Sequence, residues 1–183
     1  FDLPHVTLVG VILADLSLHI PDYRSGERTF QLLCQVAGRA GRDGSPSLAI
    51  IQTYSPNNYA IVAAAKQDYL AYAEAEIKFR QQYRYPPFYR LARLMFEHTN
   101  AAYAETQTRE IATYLRSTIA KQQLSGLDII GPAPAYPIRS KGRYRWHMIL
   151  RAENSIADDL PRFIREMPPP KGWQIEIDPV SLV

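Results

Sequence analysis

Cysteine occurs once in 183 residues, at Cys34, which excludes a disulfide framework within the chain and any multi-cysteine metal site. The four histidines, His5, His19, His98 and His147, lack metal-ligand spacing and read as surface or packing residues. No apolar run approaches the roughly 18 residues a membrane span needs, and the start has no basic, apolar and cleavage regions of a secretory signal. There is no G-x-x-x-x-G-K-[ST] loop, no Gly-Lys pair and no Asp-Glu dyad. Without a phosphate cradle and magnesium carboxylates, the chain alone cannot hydrolyse ATP. Net charge is also small: 21 Lys+Arg against 18 Asp+Glu leave +3, too little to establish a polyanion partner. What is present is 46% apolar and 21% charged residues, which argues against disorder or a fibrous repeat and fits one large or two small domains. With no span, signal or disulfide framework, a soluble, cytoplasmic protein is expected. The chain opens on Phe1, not Met, directly before a strand-like run, and is expected to be a piece of something longer.

Residues Val6–Leu13 form a nearly continuous aliphatic run, the pattern of a strand buried on both faces in an α/β layer. After a polar loop with Pro21 and Asp22, Ser25 is placed to cap a helix whose Phe30, Leu33, Cys34 and Ala37 share the 3.6-residue period. The glycines of Gly38-Arg39-Ala40-Gly41-Arg42 and then Ser45-Pro46 end it, and Ser47–Thr53 reads as a second strand. Strand, helix and strand at this spacing are half of a parallel sheet whose other strands are missing from the chain. A long helix is expected from about Asn57-Asn58 towards Tyr83, until Tyr85-Pro86-Pro87 breaks it.

Beyond that break Arg90–Phe96 suits a strand. Asn100 caps a helix with Tyr103, Ala104, Ile111, Tyr114, Leu115 and Ile119 on one face, and Gly126 stops it. Leu127–Ile130 is a short strand and Tyr144–Leu150 alternates with period two. Ser155 caps a helix to about Met167, and Trp173–Ile177 closes as a strand. The order β-α-β-β-α-β predicts a small α+β domain with helices on one face of a largely antiparallel sheet. The expected organisation is a partial α/β unit over 1–56, a connecting helix over 57–84 and the α+β domain over 85–183.

The sharpest segment is Gln35-Val36-Ala37-Gly38-Arg39-Ala40-Gly41-Arg42. Two arginines three apart, separated by small residues, leave a helix with little steric cover. Glycine lets backbone approach a ligand closely, and guanidinium forks match phosphate oxygens bidentately. A basic helix C-terminus complementing the dipole would account for one arginine, but not for the whole Q-x-x-G-R-x-G-R string. That string resembles motif six of superfamily-2 helicases. Together with Val6–Val11, Ala14-Asp15, Pro21–Arg24, Glu27–Leu33, Ile51–Tyr54, Tyr85–Phe88, Gly131–Pro134, Gly142–Trp146 and Ile177–Pro179, it makes the whole chain resemble the primosomal protein N′ family of replication-restart helicases (PriA). One departure is Leu13, where many members carry Asp.

The resemblance implies an α/β fold: a partial RecA-like helicase lobe two with motifs five and six, then a small domain that is S10-like in arrangement. It implies that Arg39 and Arg42 reach ATP phosphates across a cleft between two lobes, supported by Gln35, with Gly38 and Asp15 also on the cofactor side. Asp15 would belong to motif five, which couples nucleotide state to the DNA track. The plainer roles are that Gln35 caps a neighbouring backbone and Asp15 opens a turn. ATP and Mg2+ would be bound mainly by upstream residues, and zinc would belong to the full-length family and not to this stretch. The implied activity is 3′→5′ unwinding in replication restart and primosome assembly. Its implied partners are branched or forked DNA, single-stranded DNA, single-stranded DNA-binding protein and other primosome proteins, in the bacterial cytoplasm at forks and away from membranes. An autonomous, non-enzymatic nucleic-acid-binding or protein-docking module is the other reading of the same residues.

The modest net charge is unevenly distributed. No acid occurs from Ile77 to Phe96, which holds Lys78, Arg80, Arg84, Arg90 and Arg93, or from Ile129 to Ala152, which holds Arg139, Lys141, Arg143, Arg145 and Arg151. Ten of the 21 basic residues therefore lie in two aromatic-rich windows, the composition of a nucleic-acid surface. Alternation in Tyr144–Leu150 sends Tyr144, Trp146 and Met148 to the core and Arg143 and Arg145 to an exposed basic row, with Arg139-Ser140-Lys141-Gly142 as a hairpin tip. The DNA-binding candidates are Arg139, Lys141, Arg143 and Arg145. A solvated edge that discourages sheet pairing is the bland alternative.

Overall fold

The computed structural model describes residues 6–39, 47–166 and 172–183. The chain divides into two compact units between Phe79 and Arg80. In the first, β1 (Leu8–Val11) pairs in parallel with β2 (Leu48–Ile51), Leu8 opposite Leu48 and Val11 opposite Ile51. Between them runs α1 (Ser25–Ala37), and after them come α2 (Tyr59–Lys66) and α3 (Tyr69–Gln82), which carries the chain past the division. Phe30 and Leu33 of α1 pack with Ala60, Ile61, Ala63 and Ala64 of α2 and Tyr72 of α3. The approach at Gly26 is close, because a Cβ there would stand 2.6 Å from the Tyr59 hydroxyl.

Three expectations for this unit are corrected. β1 is not buried on both faces: Leu8 and Leu48 are 59% and 57% exposed, because the helices cover only one face of a two-stranded ribbon. Ser25 does not cap α1. Arg24 holds the N-cap position, and Asp22 steadies the turn by accepting from the Arg24 N–H at 2.8 Å and pairing with Arg28 at 3.2 Å. The long helix over 57–83 is two helices. The start is where it was expected, with Asn58 as the cap of α2, but Gln67 takes a left-handed φ of 52°, and Asp68 accepts from the Ala71 N–H to restart the ladder as α3.

The second unit follows the expected order, with β3 (Tyr89–His98), α4 (Ala101–Lys121), β4 (Leu127–Ser140), β5 (Arg143–Glu153), α5 (Asp159–Glu166) and β6 (Trp173–Ile177). The sheet order is β4-β5-β3-β6, antiparallel at every pairing. Ala92, Leu94, Met148, Leu150 and Ala152 of the sheet pack with Ala112 and Leu115 of α4 and Leu160, Phe163 and Ile164 of α5. Asn100 caps α4, accepting from the Tyr103 N–H at 3.0 Å. The buried face of α4 is Ala104, Thr108, Ala112 and Leu115, so Tyr103 and Tyr114 are not on it. Small residues let the helix lie close to the sheet, which moves the bulky rings to its flanks. α5 starts at Asp159, later than expected, after a 3-10 turn at Asn154–Ile156, and Pro161 sits in its first turn, where it costs no hydrogen bond. Its expected end at Met167 lies outside the described residues. Among the described residues no helix is long and apolar enough to cross a membrane.

Candidate functional site

The Q-x-x-G-R-x-G-R string begins on the last turns of α1. Gln35 is exposed there, and Arg39 follows four residues later, just past the C-cap at Gly38. Gly38 ends the helix with its N–H donating to Cys34 O at 2.9 Å, and the Arg39 N–H donates to Val36 O at 3.1 Å. Among the described residues no carboxylate pairs with Arg39, and no hydrogen bond occupies the Gln35 amide. Arg42 lies outside the described residues.

Asp15 is placed differently. It is 1% exposed, and both oxygens are spent inside the protein: Oδ1 accepts from the Thr53 hydroxyl and Oδ2 from the Tyr54 N–H, each at 2.9 Å. Burial alone would raise its pKa, but the Tyr54 N–H with the Thr53 and Ser55 hydroxyls holds it below the ordinary value. The carboxylate thus ties the turn after β1 to the chain leaving β2, through bonds spanning 38 and 39 residues. Leu13, just before it, takes a left-handed φ of 57°, a conformation that Asp tolerates better than Leu.

Five arginines of the two acid-free windows are paired with acids from elsewhere. On the sheet face away from the helices, Arg145 pairs with Glu97, Arg151 with Asp128 and Arg93 with Glu176, at 3.1, 2.6 and 2.8 Å. Each pair is a directly opposed cross-strand pair in the register. Each arginine also donates to a backbone carbonyl: Arg93 to Val183, Arg151 to Tyr83, and Arg145 to both Tyr136 and Pro137. Arg90 is held by Asp178 at 2.8 Å and Arg84 by Asp128 at 3.6 Å. Arg145 therefore does not belong to an exposed basic row. Its side chain is only 12% exposed, because its own strand faces Glu97 and the covering segment supplies two acceptors. His147 lies between Arg93 and Arg145 on this face. Burial, then the two positive charges, push its pKa below the ordinary value, and its buried Nδ1 has no hydrogen-bond partner.

The hairpin tip differs. Lys141 and Gly142 form the turn with φ of 48° and 80°, the two left-handed positions of a tight hairpin, and Ser140 pairs with Arg143. Arg139, Lys141 and Arg143 are exposed, and no carboxylate among the described residues pairs with any of them. The Arg139 guanidinium sits 5.2 Å from the centre of the Tyr144 ring, which orients the charge without cancelling it.

The chain pattern missed two things. It ended β4 at Ile130, whereas the strand continues to Ser140 through two register shifts. Pro132, Pro134 and Pro137 were the available signal, since prolines within a strand mark an edge with bulges. It also missed the acids Glu97, Asp128 and Glu176, which no local window contains. No three His, Cys, Asp or Glu side chains among the described residues converge to hold a metal ion.

Residues 81–180 match the family described as Primosomal protein N C-terminal domain. The chain is 42% identical over 150 residues to Replication restart protein PriA of Bacillus subtilis (strain 168), covering 82% of this chain and 18% of that protein. To the protein of the same name from Synechocystis sp. it is 38% identical over 183 residues, covering 99% and 22%. To that of Treponema pallidum it is 35% identical over 187 residues, covering 100% and 28%. The chain therefore spans between about a fifth and somewhat over a quarter of these relatives.

Proposed function

The chain belongs to the primosomal protein N C-terminal domain family, and from that premise we propose that it is the C-terminal part of an ATP-dependent 3′→5′ DNA helicase acting in replication restart and primosome assembly. In this reading residues 1–56 are the end of a RecA-like lobe two, 57–84 connect, and 85–183 form an S10-like domain. The exposed apolar row of Leu8, Leu48 and Ile50 supports it, because a parallel ribbon with one bare face is what remains when the neighbouring layers belong to another stretch of polypeptide.

Within a nucleotide site this chain supplies the arginine side. Arg39 and Arg42 stabilise negative charge developing on the transferred phosphoryl group, a contribution of roughly 10³–10⁵ in rate where such arginines have been measured. Gln35 and the close backbone at Gly38 support the same edge. Asp15 is a positioning residue there, holding the turn after β1 against the chain leaving β2. ATP and Mg2+ are bound mainly by upstream residues, and the zinc of the family belongs upstream as well. The test is Arg39→Ala and Arg42→Ala in the longer polypeptide: ATP turnover is abolished while DNA binding persists. Unchanged turnover removes the arginine assignment.

The second unit contacts DNA, branched or forked as well as single-stranded, through the β4–β5 hairpin. The observation that carries this is the charge sorting: Arg139, Lys141 and Arg143 are exposed without a carboxylate partner among the described residues, while Arg93, Arg145 and Arg151 are paired. Titrating the 183-residue chain with fork DNA over a salt series tests it, and affinity that ignores salt excludes phosphate contact. Single-stranded DNA-binding protein and the other primosome proteins are the protein partners in this reading, and the bacterial cytoplasm at replication forks is its place. A second reading, a non-enzymatic binding or docking module, is favoured by the separate hydrophobic core of the second unit. An acidic tail peptide that neither binds nor displaces DNA removes its docking form.

A further inference from the structure

We propose that the bulge in β4 places Tyr136 and Ile138 against unpaired bases of single-stranded DNA whose phosphates lie along Arg139, Lys141 and Arg143. The inference rests on the DNA reading of the hairpin and adds to it a base-contacting element.

The register isolates the element. Pro134 pairs with Trp146 and Arg139 with Tyr144, so four residues of β4, 135–138, stand opposite Arg145 alone. A bulge of this size re-aims side chains. Here it is held at both levels: Ala135 is buried beneath it, and Arg145 donates to the Tyr136 and Pro137 carbonyls at 3.3 Å each. With backbone oxygens turned inward to Arg145, Tyr136 and Ile138 project outward, each 54% exposed. Two large apolar side chains held outward on an ordered protrusion are costly to leave in water, unless a partner covers them.

The surroundings select that partner. β4 is an edge strand, but Pro132, Pro134 and Pro137 have no N–H to offer another strand, which argues against a peptide adding to the sheet. Glu97, the carboxylate nearest the bulge, is already paired with Arg145 at 3.1 Å, and Arg139, Lys141 and Arg143 at the tip have no carboxylate partner among the described residues, which selects a polyanion. Among polyanions, an exposed tyrosine ring beside an aliphatic wedge suits one whose flat apolar faces are accessible. Duplex DNA buries those faces in its stack, whereas a single strand presents them, and stacking on an aromatic side chain tolerates any base.

The experiment measures binding of the 183-residue chain to a short fluorescein-labelled oligo(dT) by anisotropy over a salt series. A 2-aminopurine version of the strand reports stacking by its fluorescence. Tyr136→Ala weakens binding about tenfold, leaves the slope of affinity against salt unchanged and abolishes the 2-aminopurine response. Tyr136→Phe restores all three, and Ile138→Ser gives a smaller loss. Thermal melting of each variant checks that these exposed positions leave the fold intact. Lys141→Asn and Arg143→Gln separate the two readings, since they reduce the salt slope and so report the phosphate contact independently. If those variants reduce the slope while Tyr136→Ala binds like the parent, the base contact is overturned, the DNA reading stands, and the patch is left as a protein-docking surface. If the chain binds no oligonucleotide at all, both are overturned.

Discussion

Arg145 donates from Nε to Glu97 Oε1 at 3.1 Å directly across the β3–β5 ladder, and from Nη1 to the carbonyls of Tyr136 and Pro137. One largely buried guanidinium therefore joins a central strand to the edge bulge. Arg145→Met leaves Glu97 and two carbonyls without their donor and should lower unfolding free energy by about 2–3 kcal/mol in urea titrations. The salt slope of DNA binding should not change, since this arginine is already occupied. A slope reduced as far as in Arg143→Gln would instead show Arg145 on a phosphate.

At the hairpin tip the expectation reverses. Removing any one of Arg139, Lys141 and Arg143 should reduce the slope of log affinity against log salt by about 0.7–0.9, one phosphate each, with little change in stability. Lys141→Asn is the cleanest variant, because Asn accepts the left-handed backbone at this position while losing the charge. A triple variant with the parent's slope would move the DNA contact elsewhere.

Leu13 occupies a left-handed backbone without being a glycine. Leu13→Asn should stabilise the first unit by about 0.5–1 kcal/mol, the relief of the αL cost less some apolar burial. A thermal midpoint lower than the parent's would show that Leu13 packing outweighs its strain.

Asp15 has a folded-state pKa below its ordinary value of 3.8. Its contribution to stability is therefore fully present above pH 3.8 and is lost as pH falls through the depressed folded value. Asp15→Asn should be less stable than the parent near neutrality and approach it in acid, followed by thermal melts across that range. A gap that stays constant with pH would mean that charge is not what the Thr53 and Tyr54 donors hold.

For His147 the folded pKa is likewise depressed, below 6.5, by burial and then by Arg93 and Arg145. The neutral form is favoured on folding, so its stability contribution is present above pH 6.5 and lost as pH falls through the lower folded value. His147→Phe should remove that loss, seen as a urea midpoint that moves less than the parent's on acidification below pH 6.5. Equal shifts in both would exclude His147 as the group responsible.

Much of the fold was legible from the chain. Asn100 announced its helix because an Asx side chain caps whatever follows it, a local property. The β-α-β-β-α-β order was readable for the same reason, since each period and each breaker acts within a few residues. The bulge at 135–138 was not, because its depth depends on where β5 places Trp146 and Tyr144. The break at Gln67-Asp68 was hidden too, since an alanine-rich run gives no warning that one residue will turn left-handed.

The motif string at the end of α1, the turn at Lys141-Gly142 and the density of arginine in two windows all follow from the order of residues alone. Which arginines remain available does not. Arg151, Arg145 and Arg93 meet carboxylates 23, 48 and 83 residues away, and only the antiparallel register brings those acids opposite. Charge neutralisation is a matter of distance in space, so folding consumed the paired arginines and left the hairpin tip of the second window with three cations that no carboxylate pairs among the described residues.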